Sequence, residues 1–163
     1  MNKINLTPYT PLIAILGVTL SLSLVHQLSM MSFMGYFLVI LSCLKLMDLS
    51  AFAKSFSKYD LITKKYNAYG YIYPFLELFA GLGFLSLTFS NSISFEFDQK
   101  SIFVGGITFL VGVIGSISVF KAVYIDKVNF KCACLGGSSS VPLGFVSFLE
   151  NISMTLMGGY LLL

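Results

Sequence analysis

The sequence predicts an all-α bundle of helices that crosses a membrane. Hydrophobic residues make up 56% of the 163 residues and charged residues only 10%, whereas about 25% of residues are charged in a typical soluble domain. The apolar residues are grouped into stretches close to the roughly 20 residues that a helix needs to cross a bilayer. We therefore expect a single membrane domain over residues 1–163, in which the bundle itself is the functional unit.

The first two helices are predicted from an uncharged stretch that is too long for one crossing. Between Lys3 and Lys45, His26 is the only side chain that could carry a charge near neutral pH. At about 1.5 Å per residue this stretch exceeds a hydrocarbon core of about 30 Å, so the chain must turn back, and residues 27–29 suit a turn. No small-x-small cleavage site follows the first apolar run, so we expect the first helix to be retained. The predicted helices cover about residues 11–26 and 32–47.

Residues 48–66 are too charged to cross the membrane but have the pattern of an amphipathic helix. The lysines lie mostly elsewhere around the helical wheel than the apolar side chains. The apolar side chains recur near helical spacing at Leu49, Phe52, Phe56, Tyr59 and Ile62. We expect the segment to lie along the membrane interface, with its lysines towards anionic headgroups. A docking surface for a soluble partner is the second interpretation.

Three further helices are predicted at about residues 68–89, 101–124 and 141–163. Pro74 and Pro142 lie near the starts of two of them, where a missing backbone N–H costs least. The helix at 101–124 has one face of small residues, which allows another helix to approach closely. We assign this face to helix packing, and dimerisation through it stays open. The face consists of Ser101, Gly105, Thr108, Gly112 and Gly115.

The lysines predict the orientation, because short loops rich in Lys or Arg stay in the cytoplasm. The chain has ten lysines and no arginine, and five crossings place nine of the lysines on one side. Only Lys100 lies on the other side, in a loop that also carries Glu96 and Asp98. We expect a multi-pass protein of the bacterial inner membrane, with the N-terminus and the loop before the last helix in the cytoplasm.

That loop contains a Cys-x-Cys pair, Cys132 and Cys134, beside Lys131 and a run of glycine and serine. The nearby lysine and the start of the last helix favour the thiolate, which is the form that attacks disulfides and binds soft metals. Two cysteines so close can form only a strained and easily reduced disulfide, which suits exchange. Cys43 could act as a third thiol, or it could be a small apolar filler.

Three ionisable residues are predicted to lie inside the membrane near the same end of the bundle. Glu77 and Glu150 each lie eight or nine residues into a helix, and Lys45 is the expected counter-charge for at least one of them. Such groups usually face the bundle interior and pair with one another, or line a functional path. A structural ion pair and a proton relay or ion ligand are both consistent with this pattern.

Three passages resemble the MauE-type membrane proteins, which are grouped with the DoxX-like four-helix membrane proteins. They are KLMDLSAFA at 45–53, YIYPFLEL at 71–78 and CACLG at 132–136, within a resemblance that covers about residues 32–163. The resemblance implies a DoxX-like four-helix core with one extra N-terminal helix, and a redox-associated role. It also implies a thioredoxin-like, glutaredoxin-like or heavy-metal-associated partner domain, and none is present in this chain.

The leading hypothesis is thiol–disulfide exchange with a thioredoxin-fold partner. Cys132 and Cys134 would cycle between dithiol and disulfide, while Glu77 and Glu150, held by Lys45, supply or remove protons. The protein would then act as a thiol–disulfide oxidoreductase, and no bound cofactor is required.

Two other hypotheses remain. In one, the protein captures a soft heavy metal such as Cu, Hg or Zn and transports it across the inner membrane, with Cys132, Cys134 and Cys43 as ligands. In the other, it is a membrane scaffold or maturation factor without chemistry of its own. The net charge of +3 comes from loop lysines, so we do not expect nucleic-acid binding.

Overall fold

The computed structural model describes residues 10–25, 29–89, 99–126 and 143–163, and the side chains of the last range from Ser147 onward. The described residues are mostly helical and include no strand, which confirms the predicted all-α class. The helices are α1 (Thr10–Val25), α2 (Met30–Met47), α3 (Leu49–Phe56), α4 (Asn67–Phe89), α5 (Gln99–Phe120) and α6 (Leu143–Leu162). A π-helical turn, Lys121–Ile125, continues α5.

Three helices in the described part of the chain are long and apolar enough to cross a membrane: Met30–Met47, Asn67–Phe89 and Gln99–Ile125. The shorter α1 is also apolar, and α6 has 20 residues. Large apolar side chains cover much of the outer surface; Leu110, for example, is 61% exposed and Phe103 60% exposed. Water does not tolerate so much contiguous apolar surface, so these faces contact lipid. The chain is an integral membrane protein.

Close helix pairs build the bundle, and α2 packs most extensively against α4. Gly35 and Gly81 allow this approach, because a Cβ atom at Gly81 would lie 3.0 Å from the carbonyl oxygen of Gly35. The extra N-terminal helix α1 packs against α2, and α4 also contacts α5. Small residues thus bring the backbones together, as is usual between helices in membranes.

The small face of α5 packs against α6, which confirms its assignment to helix packing. Gly105, Thr108, Gly112 and Gly115 are buried along α5. A Cβ atom at Gly112 would lie 2.7 Å from the backbone nitrogen of Thr155 in α6. This face is therefore filled within one chain, and a homodimer would need another surface.

The amphipathic segment closes one end of the bundle. Phe52, Phe56 and Tyr59 are buried, and the rings of Phe56 and Tyr73 have centroids 4.7 Å apart. The apolar side of the segment therefore contacts α4, while Lys54 and Lys58 are exposed. Helical structure covers only Leu49–Phe56, and turns follow it.

Asp60 fixes the turns that follow α3. Its buried Oδ2 accepts hydrogen bonds from the backbone nitrogens of Ile62 and Thr63, at 3.0 and 2.8 Å, and from the Thr63 hydroxyl at 2.9 Å. The backbone nitrogen of Leu61 donates to the Ser118 hydroxyl of α5 at 3.2 Å. These bonds attach the connector to the bundle at the end where α2 ends and α4 and α6 begin, which we call the charged end.

Candidate functional site

Three helices bring ionisable side chains to one buried point near the charged end. Lys45 lies in the last turn of α2, two residues before Met47. Glu77 lies ten residues after the start of α4 and Glu150 seven residues after the start of α6, which correspond to about 15 and 10 Å along each helix axis. The lysine side chain, which is long, can therefore meet carboxylates from both neighbouring helices.

The Lys45 ammonium contacts both carboxylates. Its Nζ donates to Glu77 Oε1 at 2.8 Å and Oε2 at 2.6 Å, and to Glu150 Oε1 at 2.8 Å. The three residues are 1%, 0% and 3% exposed, respectively. The expected pairing of Lys45 is therefore confirmed, and it includes both glutamates. Their part in catalysis stays a prediction.

The charges of this cluster do not balance if every group is ionised. Within the cluster, one ammonium faces two carboxylates. Two carboxylates held close together in a dry, low-dielectric interior disfavour the ionisation of both at once. The cluster is therefore suited to hold one exchangeable proton.

Aromatic side chains surround the ammonium and exclude water from it. The Lys45 Nζ lies 5.8 Å from the ring centroid of Phe52 and 5.3 Å from that of Tyr73, within the range of cation–π attraction. Phe52 comes from α3, so the segment that closes the bundle also completes the cluster. The apolar periodicity of α3 signals a buried face, but it does not indicate what that face covers.

A second polar contact ties α4 to α6 beside the cluster. The Tyr73 hydroxyl donates to Asn151 Oδ1 at 3.4 Å, and Asn151 Nδ2 donates to the carbonyl oxygen of Ser147 at 2.7 Å. Gly115 of α5 lies directly against the Asn151 amide, and an added Cβ atom would collide with it. Asn151 follows Glu150 in the chain, so these contacts also fix the position of that glutamate. The pattern of small residues in the sequence predicts that Gly115 lies at a helix contact, but it does not predict that Asn151 is the residue in that contact.

Among the described residues, no cysteine belongs to this cluster. Cys132 and Cys134 lie outside them, in the segment between Asp126 and Leu143 that joins α5 to α6. Cys43 is described and exposed, whereas Lys45 two residues later is buried. Positions two apart on a helix point to nearly opposite sides, so Cys43 faces away from the cluster. Within the described ranges, no group of three His, Cys, Asp or Glu side chains could hold a metal ion.

The π-helical turn at Lys121–Ile125 was not predicted. The backbone nitrogen of Asp126 donates to the carbonyl oxygen of Lys121 at 2.9 Å and closes it. Such turns occur often at functional sites, and this one directly precedes the segment that carries the two cysteines. The apolar sequence continues through it with helical spacing, so no local signal marks it.

A family model described as methylamine utilisation protein MauE matches residues 12–163. The chain belongs to the MauE family. The match includes most of α1, which the motif resemblance placed outside its range of 32–163, and it includes all members of the buried cluster. No curated protein and no solved structure matches this MauE-family chain.

Proposed function

We propose that this MauE-family protein carries out thiol–disulfide exchange with a thioredoxin-fold partner, through Cys132 and Cys134. The observation that carries the proposal is the buried Lys45–Glu77–Glu150 cluster. It lies at the end of the bundle from which the segment joining α5 to α6 leaves and returns. Cys134 is nine residues before Leu143, a distance that spans at most about 30 Å when extended. The cysteines can therefore reach the neighbourhood of the cluster.

In the proposed reaction, the dithiol of this protein reduces a disulfide of the partner. One thiolate attacks a partner sulfur and displaces the other, which forms a mixed disulfide. The second thiolate then attacks the mixed disulfide, forms the Cys132–Cys134 disulfide and releases the partner as a dithiol. Two electrons move from this protein to the partner, and two protons leave one pair of thiols and return to the other pair. The reverse direction uses the same steps, and neither requires a bound cofactor.

The cluster would serve as the proton store for these steps. Glu77 accepts two hydrogen bonds from Lys45 and Glu150 accepts one, so Glu150 is the carboxyl group that we assign to proton transfer. The short bidentate contact holds Glu77 beside Lys45. Glu150 is also the member on α6, the helix that directly follows the cysteine segment.

We place the protein in the bacterial inner membrane, with the cysteine pair in the cytoplasm. The uneven distribution of lysines supports this orientation. Lys54, Lys58, Lys64 and Lys65 are exposed at the charged end of the bundle. A soluble thioredoxin- or glutaredoxin-like protein would then approach a basic surface, where charge complementarity favours an acidic partner.

The proposal is tested with thiol labelling in a Cys43→Ser background, so that only Cys132 and Cys134 of the three cysteines remain. A membrane-impermeant thiol reagent is applied to intact cells and to inverted vesicles, before and after reduction. We expect labelling in inverted vesicles only. Labelling of intact cells would contradict the proposed orientation and favour disulfide chemistry on the outer side.

A trapping experiment tests the chemistry itself. Removing the resolving cysteine should leave a stable mixed disulfide, so one of the variants Cys132→Ser and Cys134→Ser should accumulate a covalent adduct with an oxidised thioredoxin-fold protein. Both variants should lose turnover. Full exchange in both single variants would contradict the proposal. Loss of Cu(I) or Hg(II) uptake in these variants, without any mixed disulfide, would instead support soft-metal capture.

A further inference from the structure

A cleft lies between α3 and the start of α4, on the outer side of the segment that covers the buried cluster. Its volume is about 620 Å³. None of its lining residues belongs to the Lys45–Glu77–Glu150 cluster, so it is a separate feature. Its polar and aromatic lining is formed by Asp48, Ser50, Lys54, Ser57, Asn67 and Tyr71.

The cleft lies at the level of the membrane where lipid headgroups are found. The membrane-crossing helix α2 ends at Met47 and α4 begins at Asn67, and both bounds lie next to cleft residues. Helices that cross the hydrocarbon core begin and end near the headgroup layer. The rings of Tyr66 and Tyr71, one just before the start of α4 and one in its second turn, are exposed, and aromatic residues are common at membrane interfaces. The cleft therefore opens where the hydrocarbon core meets the headgroups.

The cleft contains one side chain of each charge. Asp48 and Lys54 are six residues apart, at the two ends of α3, which is about 9 Å along the helix axis. One oxygen of Asp48 accepts capping bonds from the Ala51 nitrogen at 3.1 Å and the Ser50 hydroxyl at 3.2 Å. Lysine is a common partner of phosphate groups, and a carboxylate attracts an ammonium. The pair is complementary to a headgroup that carries both a phosphate and an ammonium.

A stripe of exposed apolar side chains continues from the cleft into the membrane. Tyr71 lines the cleft, and Phe75 and Phe79 follow it at intervals of four residues on the same face of α4. These three side chains are 47%, 53% and 48% exposed, respectively. An acyl chain that lies along this stripe would cover the exposed surface of Tyr71, Phe75 and Phe79, the last of which also contacts the Phe103 ring of α5.

We infer that the cleft binds a zwitterionic phospholipid of the phosphatidylethanolamine type. The lipid phosphate contacts Lys54, the lipid ammonium contacts Asp48, and one acyl chain follows the α4 stripe. The site is independent of the proposed thiol exchange, since it shares no residue with the cluster or with the cysteine pair. It gives the MauE-family bundle a specific lipid contact at its charged end.

The test measures lipids that remain bound to the purified full-length protein by native mass spectrometry. The protein is extracted from vesicles that contain equal amounts of phosphatidylethanolamine and phosphatidylglycerol. We expect the wild-type protein to retain phosphatidylethanolamine preferentially. Lys54→Gln should reduce this retention by at least about tenfold, because it removes a charged hydrogen bond. Lys58→Gln is the matched control, because Lys58 is exposed two residues after α3 but does not line the cleft.

The variant Asp48→Asn tests the ammonium contact of the headgroup separately from the phosphate contact. Asparagine caps a helix about as well as aspartate, so α3 should remain folded while the negative charge is lost. We expect this variant to lose the preference for phosphatidylethanolamine and to retain both lipids about equally. Equal effects of Lys54→Gln and Lys58→Gln would overturn the site, and so would a wild-type preference for phosphatidylglycerol. Unchanged thermal unfolding of each variant shows that the comparison reports binding.

Discussion

Lys45 donates hydrogen bonds to both carboxylate oxygens of Glu77, at 2.8 and 2.6 Å, although 32 residues separate them in the chain. Both side chains are buried and come from different membrane-crossing helices. The backbones of α2 and α4 are already close, and this charge pair joins the two helices further. Because Glu150 adds α6 to the same ammonium, one lysine connects three helices.

Lys45→Met should strongly destabilise the bundle. It removes the ammonium that contacts both buried carboxylates, and breaking a buried ion pair from one side costs about 3 to 5 kcal/mol. Thermal unfolding of the purified protein in detergent measures the effect. Lys54→Met, at an exposed position of α3, is the control and should change the unfolding temperature little. Similar unfolding temperatures for the two variants would show that the buried pair does not hold the helices together.

Glu150→Gln should cost much less stability than Lys45→Met. It leaves Lys45 paired with Glu77, and it removes one of the two negative charges that face the ammonium. The double variant Glu77→Gln and Glu150→Gln should lose far more stability than the two single variants lose together, because it removes both carboxylates that contact the buried ammonium. A double-mutant cycle from unfolding temperatures checks this. Additive effects would contradict the charge count given for the cluster.

Glu150→Gln should also slow thiol exchange if this carboxyl group transfers protons. The amide has nearly the same shape but cannot accept or release a proton at neutral pH. General acid–base groups contribute about 100-fold or more to rates, so we expect a loss of that order at saturating partner concentration. The rate at which oxidised thioredoxin is reduced is the measurement. An unchanged turnover, with the fold intact, would leave the cluster a purely structural role.

Gly115→Ala should destabilise the contact between α5 and α6. Its Cβ atom would collide with the Asn151 amide, and overpacking of this kind costs about 1 to 3 kcal/mol. Gly106→Ala in the same helix is the matched control, because beyond the adjoining helix backbone no atom lies within 4 Å of the added Cβ. That control should be neutral or slightly stabilising, since alanine favours a helix more than glycine does. Equal unfolding temperatures for both variants would contradict the close packing described at Gly115.

Cys43→Ser should leave thiol exchange unchanged. The thiol is exposed on α2 and lies on the opposite side from Lys45. Cys132→Ser should abolish turnover in the same assay. A loss in Cys43→Ser comparable to that in Cys132→Ser would show that three thiols act together, as the soft-metal hypothesis expects.

The cluster shows how far local sequence reasoning extends. The depth of Glu77 and Glu150 could be predicted because the rise per residue of a helix is fixed. Lys45 could be named as a counter-charge because a charge in hydrocarbon needs a partner. That Lys45 contacts both glutamates depends on how three helices are rotated about their axes. This rotation is set by contacts such as Gly81 against Gly35, between residues far apart in the chain.

The sequence by itself determined that this is a helical membrane protein, because composition and hydrophobic length leave no other way to satisfy the backbone in a bilayer. It also determined that the face from Gly105 to Gly115 would pack closely against another helix, because small side chains let two helix backbones approach each other. Only the tertiary structure decided that α6 fills this face, and that α3 turns Phe52 towards the Lys45 ammonium. Helical periodicity identifies a buried face from local residues alone, whereas its partner is selected by shape and charge complementarity among distant residues.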